Sequence, residues 1–337
     1  MELRNYNAPC KNLWTGRVDD PNDPDSFRMH QIVQLIDLIK IDWVTLDSNK
    51  RNICFLGFNS DEGVIRNLGR EGAKQGASYI RKEFANLPVT FGNQVAIYDA
   101  GDIECLNGNL EDAQEQLKLA VSLILNHKFL PIVLGGGHEL AFGHYNGIIS
   151  HFLSSKKAIP SLGIINFDAH FDLRPYTKGS SSGTMFAQIA DSCKEQSRQF
   201  SYMCLGVQAS GNTISLFKKA DELGVKYILG KDFVEPNFES IRKSIDDFIG
   251  KHENIYFTLC SDVFNASSAP GVSAIQPFGM NAEVVLTFIK HIFRSEKVVS
   301  FDVAEVSPRF DHDDQTAKLI AIIIFAIINV LTENRSN

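Results

Sequence analysis

Leu162-Gly163-Ile164-Ile165-Asn166-Phe167 runs straight into Asp168-Ala169-His170-Phe171-Asp172, and the join between these two halves decides the fold. The first half is a short, nearly unbroken apolar run, as expected of a strand buried on both faces of a parallel sheet. The second half sets three ionisable side chains at alternate positions. In an extended chain residues two apart point to the same side, so Asp168, His170 and Asp172 are expected to share one face just beyond a buried strand. Burying that much charge is costly unless the groups pair or hold a cation. Three potential ligands alternating at a strand end therefore point to a metal site.

Outward from this point, short apolar runs alternate with longer helical patterns. The expected strands are 53–58, 95–98, 130–134, 162–167, 202–205, 225–228, 255–260 and 298–303. The expected helices are 76–84, 110–126, 139–152, 214–222, 238–249, 282–293 and 316–331. Strands followed by helices imply crossover connections. The expected fold class is α/β: a single-domain, three-layer α/β/α architecture with a mostly parallel sheet of about eight strands. Residues 51–335 are assigned to that domain. Residues 1–50, with a Pro/Asp-rich piece at Asp19–Asp25 and a helix expected from Phe27 to about Ile39, read as an N-terminal extension.

Ligands of such sheets bind beyond the C-terminal ends of the strands, and three further strand ends are unusually polar. Leu134-Gly135-Gly136-Gly137-His138-Glu139 allows a tight backbone approach and places His138 at the opening of the next helix. No Lys-Ser/Thr follows, which argues against a phosphate loop. Thr258-Leu259-Cys260-Ser261-Asp262 ends another buried strand. A single cysteine in such a run is more often a core thiol, but alternation with Asp262 at a polar strand end favours a ligand. In Ser300-Phe301-Asp302-Val303-Ala304-Glu305, Glu305 again lies at a strand end, either solvated or facing a cationic nitrogen of a substrate. Arg174 is either a surface arginine or a clamp for a substrate carboxylate; Arg70 and Arg309 are lesser candidates. His144, on the helix after His138, is a candidate to touch a ligand rather than the metal. His30, His127, His151, His252, His291 and His312 read as surface groups.

Composition excludes several classes. With a formal net charge of -7 and scattered Lys and Arg, the chain lacks the clustered basic face that nucleic acid requires. Six cysteines include no CxxC pair, so a zinc knuckle is not expected and a reducing compartment is. The N-terminal stretch is polar, without the apolar core of a signal peptide. The apolar run Leu319–Leu331 is shorter than the roughly 20 residues that span a bilayer, and reads as a buried helix. The expectation is a cytoplasmic protein with a small-molecule substrate, no nucleic acid and no membrane.

The segments Gly135–His138, Asp168–Asp172 and Thr258–Asp262, the last followed by Pro270-Gly271, resemble in order and spacing the arginase/agmatinase/formimidoylglutamase (ureohydrolase) family. The resemblance covers roughly residues 50–335. Within the family, Arg66–Arg70, Asp172–Pro175, Ser181–Thr184, Ala269–Ser273 and Phe301–Glu305 are most similar to formimidoylglutamases. The resemblance implies two Mn²⁺, one held by His138, Asp168, Asp172 and Cys260, the other by Asp168, His170, Cys260 and Asp262. It departs from the family at Cys260, where a bridging Asp is usual. Sulfur fits hard Mn²⁺ less naturally than a carboxylate, so Zn²⁺ or Fe²⁺ stay open. The implied reaction is hydrolysis of N-formimidoyl-L-glutamate to L-glutamate and formamide in histidine degradation. A metal-bridging hydroxide would attack, Glu305 would hold the imino nitrogen, and Asp172 would pass a proton to the departing amine. An agmatinase- or arginase-type guanidino hydrolase is the alternative, and a metal-poor, non-catalytic relative is a second. Relatives of this kind imply a homo-oligomer.

Overall fold

The computed structural model describes residues 3–43, 46–47, 49–154 and 159–333. The outermost residues of the two expected segments, 1–2 and 334–335, lie outside the described residues.

One ten-stranded sheet forms the centre. Two strands are short and come from the N-terminal segment: β1 (Tyr6–Asn7) and β2 (Gln34–Leu35). The other eight correspond to the expected strands: β3 (Arg51–Asn59), β4 (Val95–Glu104), β5 (Leu130–Leu134), β6 (Leu162–Phe167), β7 (Tyr202–Val207), β8 (Lys226–Leu229), β9 (Asn254–Cys260) and β10 (Val298–Ala304). Their order is β1-β4-β3-β5-β10-β9-β6-β7-β8, with β2 also on β4. Every described pairing is parallel except β1 on β4.

The helices are α1 (Met29–Ile32), α2 (Glu62–Arg66), α3 (Gly76–Ala85), α4 (Leu110–Asn126), α5 (Leu140–Ser154), α6 (Met185–Glu195), α7 (Ile214–Glu222), α8 (Phe238–Gly250), α9 (Ala282–Phe293) and α10 (Gln315–Glu333). Side chains alternate across the sheet and so divide the core in two. Phe55, Phe301 and Val303 join residues of α3, α8, α9 and α10 on one face. Leu56, Ile164 and Ala304 join residues of α4, α5, α6 and α7 on the other. This is the expected three-layer architecture.

By length and apolar composition α10 is sufficient to cross a membrane. Ile320, Ile324, Ile327 and Ile328 are buried in the first core, so it packs as a core helix. The expected helix from Phe27 to Ile39 is a correction. Only the turn of α1 is α-helical; the chain then extends as β2 beside Tyr98 and Asp99 of β4 and turns into a 3-10 helix from Leu38. The open edge of β4 offers backbone hydrogen bonds, and that tertiary pairing overrides the helical spacing of the apolar residues.

β5, β10, β9 and β6 are consecutive neighbours in the sheet. At about 4.8 Å per strand, their C-terminal ends bring His138, Glu305, Cys260 and Asp168 to one place.

Candidate metal centre

The six expected ligands converge there. His138 Nδ1 lies 2.9 Å from Asp168 Oδ2 and 3.1 Å from Asp172 Oδ2. His170 Nδ1 lies 3.4 Å from Asp168 Oδ1 and 3.1 Å from Asp262 Oδ2. Ligating atoms of His138, Asp168 and Cys260 all lie within 4.8 Å of one another, as do those of Asp168, His170 and Asp262. Asp168 is common to both groups and stands between them. Its carboxylate is held by the His170 backbone N–H at 2.7 Å and by Asn166 Nδ2 at 3.1 Å.

The backbone reaches this arrangement differently from the alternation expected. β6 ends at Phe167, and Asp172 sits in the left-handed region with φ 50°. Asp262 lies in a 3-10 turn, Ser261–Val263, just past β9. Glu305 is also left-handed, at φ 67°. Such conformations are uncommon for non-glycine residues and concentrate at functional sites. Gly135 has φ 77°, and a Cβ there would meet the Ala77 backbone nitrogen at 2.4 Å. This is the close approach for which the glycine run is needed.

Charge and burial set the electrostatics. Burial opposes charge on both histidines, yet the carboxylates outweigh it: Asp168 and Asp172 hold His138, and Asp262 and Asp168 hold His170, well above the ordinary histidine range. Burial likewise opposes the Asp168 charge, but His138 and His170 bring it far below the usual carboxylate range. Burial and then the Asp168 charge push Asp172 up to about 6. Burial, with Asp168, Asp262 and Glu305 around it, drives the Cys260 thiol well above its usual range.

These residues fit a metal pair. His138 Nδ1 is buried and makes no hydrogen bond despite its two carboxylate neighbours. An unpartnered buried polar atom is destabilising; a cation coordinated by it and by the facing oxygens removes that cost. Adjacent ligands around a divalent ion at bonds of roughly 2.0–2.3 Å stand about 3–4 Å apart, close to the spacings here. Asp168, Asp172, Asp262 and a Cys260 thiolate would balance two divalent charges.

A cavity of about 300 Å³ opens onto the cluster, lined by His138, His170, Asp172, Cys260, Asp262 and Glu305. Arg174 lies on its wall and is exposed, over Gly183, where a Cβ would come 2.9 Å from the arginine Cδ. Glu305 Oε1 accepts the His138 backbone N–H at 3.0 Å. Burial, then Glu139 and Asp262, raise its carboxyl well above the ordinary range. Arg70 also lines the cavity, but its Nε and Nη2 donate to Ser273 and Val272 carbonyls and its guanidinium stacks on Phe310 at 4.0 Å. It clamps a loop. Arg309 is outside the lining and pairs with Glu71.

Asn67, Ser182, Asn212 and Ser273 complete the polar wall, and the sequence assigns none of them a role. They come from four separate loops without periodic pattern; Asn67, Ser182 and Ser273 fall within strings that carry the family resemblance, and Asn212 falls within none. Met185 is buried as the first residue of α6 and does not line the cavity. His252, expected at the surface, is buried, with Nδ1 on the Phe248 carbonyl at 2.8 Å.

The arginase family's sequence pattern matches residues 51–329. Among curated proteins, the formimidoylglutamase of Clostridium tetani is 48% identical over 330 residues, covering 98% of this chain and 97% of that one. The formimidoylglutamase of a Geobacillus strain is 42% identical over 316 residues, 94% of each chain. Among solved structures, formimidoylglutamase from Bacillus subtilis superposes with a TM-score of 0.76 at 19% identity, covering 96% of this chain and 97% of that one. Formiminoglutamase from Trypanosoma cruzi with Mn²⁺ gives 0.74 at 22% identity, covering 88% and 98%. At such identities the superpositions establish the fold, whereas the family match and the near full-length relatives establish kinship. The chain belongs to the arginase family.

Proposed function

We propose that the protein is a manganese-dependent formimidoylglutamase, hydrolysing N-formimidoyl-L-glutamate to L-glutamate and formamide. The observation that carries this reading is near full-length similarity, at 48% and 42% identity, to two formimidoylglutamases, in a chain whose six candidate ligands converge on one cavity.

His138, Asp168, Asp172 and Cys260 would hold one ion, and Asp168, His170, Cys260 and Asp262 the other. When bound, such a pair lowers the pKa of water and polarises the C=N group. The chain's own residues do the rest. Glu305 has one oxygen committed to the His138 backbone and the other available to accept a formimidoyl N–H, which orients the electron-poor carbon toward the cluster. Asp172, on the wall of the same cavity, is placed to take and return a proton. It passes one to the glutamate nitrogen as the C–N bond breaks. Water's oxygen ends on the formyl carbon. Arg174 faces a substrate carboxylate with its planar fork. Six cysteines without a disulfide suit a cytoplasmic enzyme.

Product analysis of the purified protein with added Mn²⁺ is the test. Formamide and glutamate should appear from formimidoylglutamate. Urea from arginine or agmatine, with no formamide, would assign it to the guanidino hydrolases instead.

A further inference from the structure

Beneath the cluster, on the β9–β10 face covered by α5, lies a buried polar group that the reaction does not use. Tyr256 and Thr258 of β9 stand opposite Ser300 and Asp302 of β10 in register. Residues two apart share a face, so these four side chains form a square, and His144 of α5 closes over it. All five are fully buried.

The protons of this group can be followed in order. Ser300 Oγ stands between His144 Nε2 at 2.6 Å and the Pro131 carbonyl at 3.2 Å. Asp302 Oδ2 can only accept, so His144 Nδ1, 2.5 Å away, donates to it. Tyr256 donates its hydroxyl to the same oxygen. Thr258 Oγ1 donates to Asp302 Oδ1 at 2.5 Å. A threonine hydroxyl has one proton, so toward its other neighbour, His138 Nε2 at 2.9 Å, it can only accept. His138 must then carry a proton on Nε2, so Nδ1, turned toward Asp168 and Asp172, is the nitrogen that becomes bare when a metal displaces its proton.

We propose that Thr258, Asp302 and His144 are positioning residues for the metal centre: their chain of hydrogen bonds fixes the tautomer and ring orientation of His138, and so makes Nδ1 the ligand atom. The inference rests on the two-metal reading of the site. The hydrogen bond on the far nitrogen of a ligating histidine decides which nitrogen is free to bind. Here that partner is a hydroxyl, whose own direction is set by a buried carboxylate held on three sides. Phe186, edge-on to the His138 ring at 5.6 Å, limits the ring from the side.

Mn²⁺ binding to the full-length protein, followed by the electron paramagnetic resonance of the free ion, tests this independently of turnover. Thr258→Val keeps the size and removes the hydroxyl; the Mn²⁺ dissociation constant should rise about 10- to 100-fold. Asp302→Asn puts an NH₂ among three donors and should weaken binding in the same way, a second isosteric route should valine fail to fold. Thr258→Ser restores the hydroxyl and should bind as wild type does. Tyr256→Phe removes a neighbour of Asp302 but leaves the Thr258–His138 contact, and should also bind as wild type does. Unchanged Mn²⁺ binding in both Thr258→Val and Asp302→Asn would overturn the proposal. So would a loss in Tyr256→Phe as large as in Thr258→Val, since packing alone would then explain it. If wild-type protein binds no Mn²⁺, the metal-centre reading itself has failed.

Discussion

Cys260 is the residue at which this chain departs most from what the family resemblance implies. Its sulfur is buried among carboxylates that hold the thiol well above its usual range, so a thiolate at this position needs cations beside it. Two metals would provide them, and the sulfur lies within 4.8 Å of the facing atoms of His138 and Asp168. Sulfur favours softer ions than Mn²⁺. Cys260→Asp should therefore keep two metals per chain while lowering the affinity for Zn²⁺ relative to Mn²⁺. Cys260→Ala, which removes a ligand, should weaken metal binding by at least the roughly 10- to 100-fold seen when groups supporting ligands are lost. Metal analysis after equilibrium dialysis against each ion checks both; full metal content in Cys260→Ala would show that the thiol is not a ligand. The candidate cluster was legible because its members end or follow buried apolar strands, where a carboxylate or imidazole has little other reason to be. The wall residues Asn67, Ser182 and Asn212 were not, because a polar residue in a loop is the ordinary case. Asp172 and Asp262 reach the cluster by a geometry other than strand alternation. Both lie past the strand ends, in turns that happen to aim them at the same point.

At the level of elements, strands and long helices were readable from their periods, and the exceptions lie where tertiary context decides. The segment 27–39 has helical spacing but breaks after one turn, and Gln34–Leu35 extends along the edge of β4. The sequence predicts no helix over 185–195, although Phe186, Ile189, Ala190 and Cys193 have helical spacing and are buried in α6; the Gly/Ser-rich loop before it obscures the start. We read residues 1–50 as an arm of the 51–335 domain, because Trp14 is buried in the same core and donates its Nε1–H to Asp99 of β4 at 2.7 Å. Arg81 of α3 meets the same carboxylate at 2.8 Å, binds Asp102, and donates to the Gly101 carbonyl. One buried guanidinium thus joins α3 to β4 beneath the arm. Removing one partner of a buried ion pair typically costs about 3–5 kcal/mol. Arg81→Met should therefore destabilise the protein by about that amount in urea unfolding, with the metal site intact. A loss below about 1 kcal/mol would mean that water reaches Asp99 and Asp102 and the junction is not closed.

For the whole molecule, the metal cluster ties stability to pH in a way that the protein groups alone define. In metal-free protein His138 and His170 bind protons more tightly folded than unfolded. Their contribution to stability is complete below the ordinary histidine pKa of about 6.5 and is lost as pH rises through their raised values. Asp172, pushed up to about 6, and Asp262, also raised by burial, act in the same sense at lower pH. Asp168 opposes them: its depressed value contributes stability that is present above about pH 4 and lost on acidification. Above pH 6.5 the histidines dominate this set, and metal-free protein should lose stability as pH rises. Metal binding requires the same two nitrogens bare, so loading releases protons and becomes more favourable with rising pH. The stabilisation conferred by a fixed free Mn²⁺ concentration should therefore widen between pH 6.5 and 8. The slope is about 1.4 kcal/mol per pH unit for each proton displaced, and two histidines give up to about twice that. Thermal unfolding with and without Mn²⁺ across this range measures the gap, and titration calorimetry in buffers of different ionisation enthalpy counts the protons. A gap that stays constant from pH 6.5 to 8, with no proton released on loading, would remove both histidines from the ligand set.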